Sequence, residues 1–249
     1  MRYALLIGYD GTAYSGWQRQ PNANTVQQEI ERALSIIFKS TIASFGCGRT
    51  DAGVHATNFL LHFDLEVEMD PMIIVKLNGI LPNDIAAKKV TLMADDFNAR
   101  FNANFREYRY FLNLKYDPFI NNKAYLYLRK LDVAAMNQAC ELILTNKAFG
   151  CFCKAGGNNK TTFCKVSVAR WYKRGDKLIF RVKADRFLRN MVRAMVGTLL
   201  LVGEGKMTLE EFAEVLTSED RNRAGKSVPG WALYLWEVGY PTKGEFAMT

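Results

Sequence analysis

The order of apolar patterns along the first hundred residues restricts how this chain can fold. Short continuous apolar runs, typical of buried strands, alternate with longer segments that carry apolar residues at helical spacing. The patterns predict the order strand–helix–strand–strand–helix–strand, which is the split βαβ or ferredoxin-like arrangement. The predicted strands are 2–9, 42–47, 58–65 and 85–92, and the predicted helices are 25–38 and 71–81.

The second half of the sequence has its own version of this order. Its predicted strands are 107–116, two strands within 163–185 around a turn at 174–176, and 233–238, and its predicted helices are 132–144, 186–202 and 208–216. We therefore predict an α+β chain of two tandem ferredoxin-like units with antiparallel sheets. The predicted division is residues 1–102 and 103–249, because no element is forced near 100–104.

Local signals predict two helix starts and one loop. Thr25 with Gln28 matches a capping box, and Asp132 is a plausible N-cap for the helix that follows it. The Gly- and Asn-rich residues 154–160 predict the most flexible internal loop.

The charge of the chain favours polyanionic partners. There are 33 Lys and Arg residues against 25 Asp and Glu residues, which gives a formal net charge of +8. Such a surplus suits nucleic acid or an anionic membrane face. No apolar run reaches the roughly 20 residues needed to span a bilayer, and the start has no complete signal peptide. We therefore expect a cytoplasmic protein.

The cysteines favour reduced thiols over disulfides or a metal site. Five cysteines are an odd number in a chain long enough to build a core without cross-links. The spacing of Cys151, Cys153 and Cys164 differs from that of the usual zinc knuckles, and neither histidine lies near them in sequence. We predict no metal site.

A polar loop at residues 46–56, GCGRTDAGVHA, is the strongest candidate for chemistry. Asp51 lies two residues after Arg49, and Gly48 and Gly53 bracket it and permit a positive φ or a close approach. Loops held between strands of a rigid sheet are common places for catalytic groups. The alternative is an ordinary tight turn in which Asp51 caps a backbone N–H.

Three further stretches carry groups suited to an anionic partner. In RFLRNMVRAMVG, Arg186, Arg189 and Arg193 are spaced to share one face of a predicted helix that is otherwise apolar. Arg193 lies deepest in the apolar run, so we expect it to have a fixed carboxylate or phosphate partner. A solvated helix face is the alternative for the other two.

In REYRY, Tyr108 and Tyr110 project to one face of a strand and Arg109 to the other. Aromatic residues beside arginines on a sheet can stack RNA bases, although core packing alone also explains tyrosines in a strand. The loop around Trp17 places Gln18 and Arg19 where they can contact a phosphate backbone, and an exposed connecting loop is the alternative.

Together these stretches resemble the tRNA pseudouridine synthase A family. GRTDAGVHA matches its signature, and YDGTAYSGWQRQ, FNARFNANFREYRY, RFLRNMVRAMVG and RAGKSVPGWALYLWEVGYP resemble its other blocks in order, from about Tyr3 to Pro241. The resemblance implies a pseudouridine-synthase-type core with a central basic cleft. It also implies a homodimer without metal or organic cofactor that isomerises uridine at positions 38 to 40 of the tRNA anticodon arm.

The resemblance also implies roles for individual residues. Asp51 matches the catalytic aspartate, Arg49 an arginine implicated in base flipping, Tyr108 the residue that stacks on the target base, and Arg193 the arginine that pairs with the aspartate. The candidates for further RNA contacts are Gln18, Arg19, His55, Arg186 and Arg189.

The chemistry leaves two choices open. A nucleophilic carboxylate can begin the isomerisation at C6 of the pyrimidine or at C1′ of the ribose, and the sequence does not choose between them. A structured-RNA-binding protein, in which the Asp51 loop is only a turn, is the rival function, and hydrolytic removal of the base is a more remote one.

Overall fold

The structure, a computed structural model, describes residues 1–154, 156 and 160–241. Residues 155 and 157–159 of the loop predicted at 154–160, like residues 242–249, lie outside this described part. The chain divides into two compact units. Among the described residues, the first unit is Met1–Asn104 together with 234–241, and the second is Phe105–Leu233. The division into domains predicted at residues 102 and 103 stays a prediction.

Nine strands and five α-helices form the described part of the chain. The strands are β1 Arg2–Tyr9, β2 Phe45–Gly46, β3 His55–Asp64, β4 Ile85–Met93, β5 Phe105–Asn113, β6 Tyr125–Leu126, β7 Val166–Arg174, β8 Lys177–Ala184 and β9 Leu233–Gly239. The helices are α1 Val26–Phe38, α2 Ile73–Ile80, α3 Val133–Thr145, α4 Met191–Gly203 and α5 Leu209–Ser218. None of these five helices combines the length and the hydropathy that a bilayer crossing requires.

The sheet of the first unit is built around β1. This strand pairs antiparallel with β3 on one side and β4 on the other, so that Leu5 lies opposite Leu61 and Val90. The short β2 pairs antiparallel with β3. β9 pairs with β3 in parallel at His55 and Ala56. Leu5 and Leu61 are fully buried, which explains the continuous apolar runs in the sequence.

The sheet of the second unit has β8 at its centre, antiparallel to both β5 and β7. The strands β7 and β8 form the predicted hairpin around residues 174–176. Tyr110, Phe180 and Trp171 lie opposite one another across the three strands and are buried. Helix α3 is fixed to β7 by Asn137, whose side chain bonds both the N–H and the carbonyl of Trp171 at 2.8 and 3.2 Å. The prediction of an α+β fold with mainly antiparallel strands is confirmed.

The strand predicted at 42–47 is mostly wrong, because only Phe45 and Gly46 pair as a strand. The N–H and the hydroxyl of Ser44 both donate to the carboxylate of Glu31 on α1, at 3.0 and 3.1 Å. The N–H of Ser44, which a longer strand would have bonded to a neighbouring strand, is therefore bonded to the side chain of Glu31.

The helix predicted from Arg186 is also wrong at its start, since α4 begins at Met191. Asn190, just before it, has a left-handed φ of 65°. The carbonyl of Arg189 accepts from the N–H of Lys154 at 3.1 Å. Arg186 and Arg189 therefore precede the helix and do not share a helical face with Arg193.

The predicted caps divide into one that is confirmed and one that is wrong. The side chain of Asp132 accepts from the N–H of Ala135 at 2.9 Å and caps α3. Thr25 precedes α1 but makes no capping hydrogen bond, and its buried hydroxyl has no partner in the described part of the chain. The carbonyls of Gly16 and Trp17 accept from the first amides of α1 instead, at 3.2 and 3.0 Å. Thr208 and Glu211 form a capping box at the start of α5.

The two threonines make a matched test of capping. We expect Thr208→Val to lower the free energy of unfolding by about 1 kcal/mol, because the N–H of Glu211 loses its acceptor. Thr25→Val keeps the side-chain volume and removes a buried hydroxyl without a partner in the described residues. It should leave the free energy of unfolding unchanged or raise it. Urea unfolding measures both, and an equal loss in the two variants would contradict this assignment.

Candidate active site

The loop that carries Asp51 links β2 to β3. Asp51 is partly exposed and Arg49 is exposed, whereas Thr50 between them is buried. Gly53 has a φ of 77°, so the predicted positive φ is present there. Gly48 has neither a positive φ nor a close neighbour, and the prediction is wrong for it. The loop thus places the partly exposed carboxylate of Asp51 next to the buried side chain of Thr50.

Side-chain and backbone contacts with residues 9–17 hold the Asp51 loop. Thr50 bonds the buried hydroxyl of Tyr9 at 2.9 Å, and the N–H of Gly53 donates to the carbonyl of Tyr14 at 3.1 Å. Gly16 has a φ of 97°, and a Cβ there would lie 2.3 Å from the carbonyl oxygen of Thr50. The segment YDGTAYSGW therefore acts as the support of the Asp51 loop, a role that its position far upstream in the sequence did not reveal.

His55 supports the same loop and is not placed to contact RNA. Its side chain is 2% exposed. Its Nδ1 accepts from the N–H of Gly11 at 3.0 Å and lies 2.9 Å from a carboxylate oxygen of Asp10. The ring stacks on Tyr234 at 4.5 Å between centroids, and burial raises the pKa of Tyr234 to about 12. The structure therefore corrects the expectation that His55 is an RNA contact.

Gln18 and Arg19 lie on the loop before α1, as predicted. Gln18 is partly exposed and Arg19 is exposed. The guanidinium of Arg19 is 3.2 Å from the carboxylate of Glu31, and its backbone N–H donates to the side chain of Gln27 at 2.9 Å. Both side chains are thus accessible to solvent, on a loop that the contacts of Arg19 hold against α1.

Tyr108 lies on β5 in the second unit and is partly exposed. Its ring meets Phe187 edge to face, with centroids 5.1 Å apart. Tyr110, two residues along on the same face, is fully buried, and burial raises the pKa of its hydroxyl. The two tyrosines therefore differ: Tyr110 belongs to the core, and Tyr108 stands where the core meets solvent.

Arg193 lies in the first turn of α4, and both its side chain and its backbone are hydrogen-bonded to Val228. Its Nε donates to the carbonyl of Val228 at 2.8 Å, and its own carbonyl accepts from the N–H of Val228. The positive charge of Arg193 also acts on the buried hydroxyl of Tyr110, opposing the rise that burial gives to the pKa of Tyr110. Arg193 is thus close enough to Tyr110 of β5 for its charge to act on that hydroxyl.

Residues 224–228 were missed as part of this arrangement. The N–H of Gly225 donates to the hydroxyl of Thr198 on α4 at 2.9 Å, and Ser227 bonds both Asn190 and Arg221 at 2.6 and 3.0 Å. This short segment fixes the start of α4 and therefore the position of Arg193. In the sequence, only the family resemblance of the closing block marks this segment.

The chain is similar to known proteins over almost its whole length. A family model described as tRNA pseudouridine synthase matches residues 139–241. Relatives named tRNA pseudouridine synthase A come from Parabacteroides distasonis, 45% identical with 96% of each chain covered, and from Porphyromonas gingivalis, 42% identical with 97% of this chain and 98% of the relative covered. The relative from Bacillus subtilis is 38% identical, with 96% and 99% covered.

The protein is thus an enzyme of the isomerase class. The chain belongs to the tRNA pseudouridine synthase A family.

The glycines around Asp51 provide a matched test of the loop support. We expect Gly16→Ala to reduce isomerase activity by roughly 100-fold, because the new Cβ meets the carbonyl of Thr50 and displaces the carboxylate next to it. Gly48→Ala is the control, since its Cβ would enter open space. Turnover and thermal unfolding of both variants measure the effect. Equal activity in the two variants would show that the close approach at Gly16 does not position Asp51.

Proposed function

We propose that this enzyme isomerises uridine to pseudouridine in the tRNA anticodon arm, at positions 38 to 40, with Asp51 as the nucleophile. The observation that carries the proposal is the Asp51 loop itself. A partly exposed carboxylate follows a buried anchor, Thr50, which the chain holds through a side-chain bond to Tyr9. Rigid presentation of a carboxylate suits attack on an atom whose position is fixed by binding.

The reaction conserves the atoms of the nucleotide. The bond between C1′ and N1 breaks, the uracil rotates, and a bond between C1′ and C5 forms. The hydrogen on C5 leaves as a proton, and N1 gains a proton from solvent. Asp51 begins this sequence by adding to C6 or to C1′, and it is regenerated when the new bond is complete.

The resemblance implies roles for three further residues. Tyr108 holds the extruded base by stacking, and its partial exposure beside Phe187 leaves a ring edge available. Arg193, anchored at Nε by Val228, pairs with the nucleophilic carboxylate. Arg49 assists in flipping the target base out of the RNA.

Further RNA contacts come from the basic and polar residues near these elements. Gln18 and Arg19 bind the backbone from the loop before α1. Arg186 and Arg189 remain candidates, now on the segment that precedes α4. Such phosphate contacts set affinity and orientation without reading sequence.

We further propose that the enzyme is a cytoplasmic homodimer whose subunit contains two tandem ferredoxin-like units with a basic cleft. The antiparallel order β4–β1–β3–β2 of the first unit supports the ferredoxin-like assignment. The strand–helix–hairpin–helix order of the second unit supports it as well. Sedimentation at equilibrium tests the homodimer.

The proposal predicts a strict dependence on Asp51. We expect Asp51→Ala to abolish tritium release from tRNA labelled at C5 of uracil, while tRNA affinity remains. Asp51→Glu should fail too, because an added methylene displaces the carboxylate. Asp95→Ala removes an exposed carboxylate elsewhere and serves as the control.

Each other outcome of this assay has a definite meaning. Appreciable turnover by Asp51→Ala would exclude Asp51 as the nucleophile. If the wild-type protein binds tRNA without releasing tritium, the function is RNA binding, and an abasic product identifies base hydrolysis. Mapping pseudouridine in tRNA from a deletion strain tests positions 38 to 40.

Substitutions at Tyr108 separate stacking from proton transfer. If the hydroxyl takes part in proton transfer, Tyr108→Phe should lower kcat by roughly 10²–10⁴-fold with little change in KM. Tyr108→Leu should also raise KM, because a stacked base contributes about 1–3 kcal/mol. Tyr116→Phe removes an exposed hydroxyl elsewhere in the unit and is the control. Full activity of Tyr108→Phe would leave stacking as the only role of this residue.

A further inference from the structure

The two faces of the sheet in the second unit differ in character. The row Tyr110–Phe180–Trp171 is buried on the face that packs against α3. Because side chains alternate along a strand, the intervening positions project from the opposite face. Six of these are basic, and we call them the basic sheet face: Arg109 on β5, Arg170 and Arg174 on β7, and Lys177, Arg181 and Lys183 on β8.

The strand register concentrates positive charge in one row of this face. Arg109 lies opposite Arg181, and Arg181 lies opposite Arg170. Like charges directly opposite each other destabilise a sheet. One acidic residue, Glu107, projects from these strands on the same face. It is 0% exposed and bonds the guanidinium groups of Arg109 and Arg181 at 2.9 and 2.7 Å.

Glu107 balances only part of this charge. Burial acts to raise the pKa of Glu107, but its hydrogen bonds to Arg181 and Arg109 outweigh that effect and lower the pKa. Glu107 is therefore ionised and contributes one negative charge against six positive ones. A fold retains such an excess at some cost in stability, and binding of an anion offsets that cost.

Aromatic rings are interleaved with the cations. The guanidinium of Arg170 lies 5.7 Å from the ring centre of Tyr172, and Nζ of Lys183 lies 3.4 Å from that of Phe105. Arg170 and Arg174 are exposed, and Tyr172 is partly exposed. Cations mixed with aromatic rings on an open sheet are a common composition of RNA-binding surfaces.

We propose that the basic sheet face binds the phosphate backbone of the RNA substrate. This inference rests on the proposed function and extends it to a surface separate from the proposed catalytic residues. Arg109 and Tyr108 are neighbours on β5 that project to opposite faces, so this surface does not belong to the same face as the base-stacking tyrosine.

A second copy of the chain is a poorer occupant of this face. A twofold contact uses the same patch on both subunits. It would place six basic groups against six, and like charges brought together in a contact raise its free energy. A polyanion would instead place negative charges against these six basic groups.

The test uses neighbouring residues of β7 that point to opposite sides. In the full chain, the double variant Arg170→Ala with Arg174→Ala removes two exposed cations of the basic sheet face. Lys173→Ala removes one exposed cation from the same strand but from the other face. The measured quantities are tRNA affinity at several salt concentrations and the kcat and KM of tritium release.

We expect the double variant to bind tRNA roughly tenfold more weakly at moderate salt and to show a salt slope smaller by about two, because counterion release scales with phosphate contacts. KM should rise with kcat at saturating tRNA unchanged. Lys173→Ala should match the wild type. The charge-retaining variant Arg170→Lys with Arg174→Lys should restore the slope, which separates charge from a folding defect.

Every other result contradicts the proposal. An unchanged slope in the double variant overturns it, as does an equal change in Lys173→Ala or a failure of the lysine variant to restore the slope. A shift in oligomeric state with an unchanged slope assigns the face to a second copy instead. If the wild type binds tRNA through this face yet releases no tritium, the proposed function fails while the inference about the face stands.

Discussion

The support of the Asp51 loop by residues 9–17 is the interaction on which the candidate site depends. A carboxylate on an unsupported loop would sample many positions. Here the buried Thr50 bonds Tyr9, and the backbone of Gly53 bonds that of Tyr14. The same upstream segment also caps α1 through the carbonyls of Gly16 and Trp17. One stretch of backbone therefore fixes both the first helix and the proposed nucleophile.

The second unit holds cationic side chains next to an apolar core. Arg193 starts a largely buried helix and is held at Nε by the carbonyl of Val228. On the other side of the sheet, Glu107 is buried beneath Arg109 and Arg181. In both cases a fixed oxygen acceptor orients a partly buried guanidinium, because a cation removed from water without hydrogen bonds is costly.

Much of the fold could be predicted from the sequence because side-chain periodicity is a local property. The bounds of β1, the hairpin of β7 and β8, and the cap at Asp132 follow from neighbouring residues alone. The failures arose where a distant group competed for the backbone. Glu31 shortens β2 by bonding Ser44, and Lys154 bonds the carbonyl of Arg189 ahead of α4. Periodicity carries no information about such partners.

The family of this protein, the alternation of its elements and the Asp51 motif follow from residue types and their order in the chain. The three-dimensional structure was needed to show that His55 is buried against Gly11 and Tyr234, and that Arg186 and Arg189 lie outside α4. It alone placed a row of three arginines on one sheet face. The physical reason is that burial, strand register and backbone pairing depend on segments far apart in the chain.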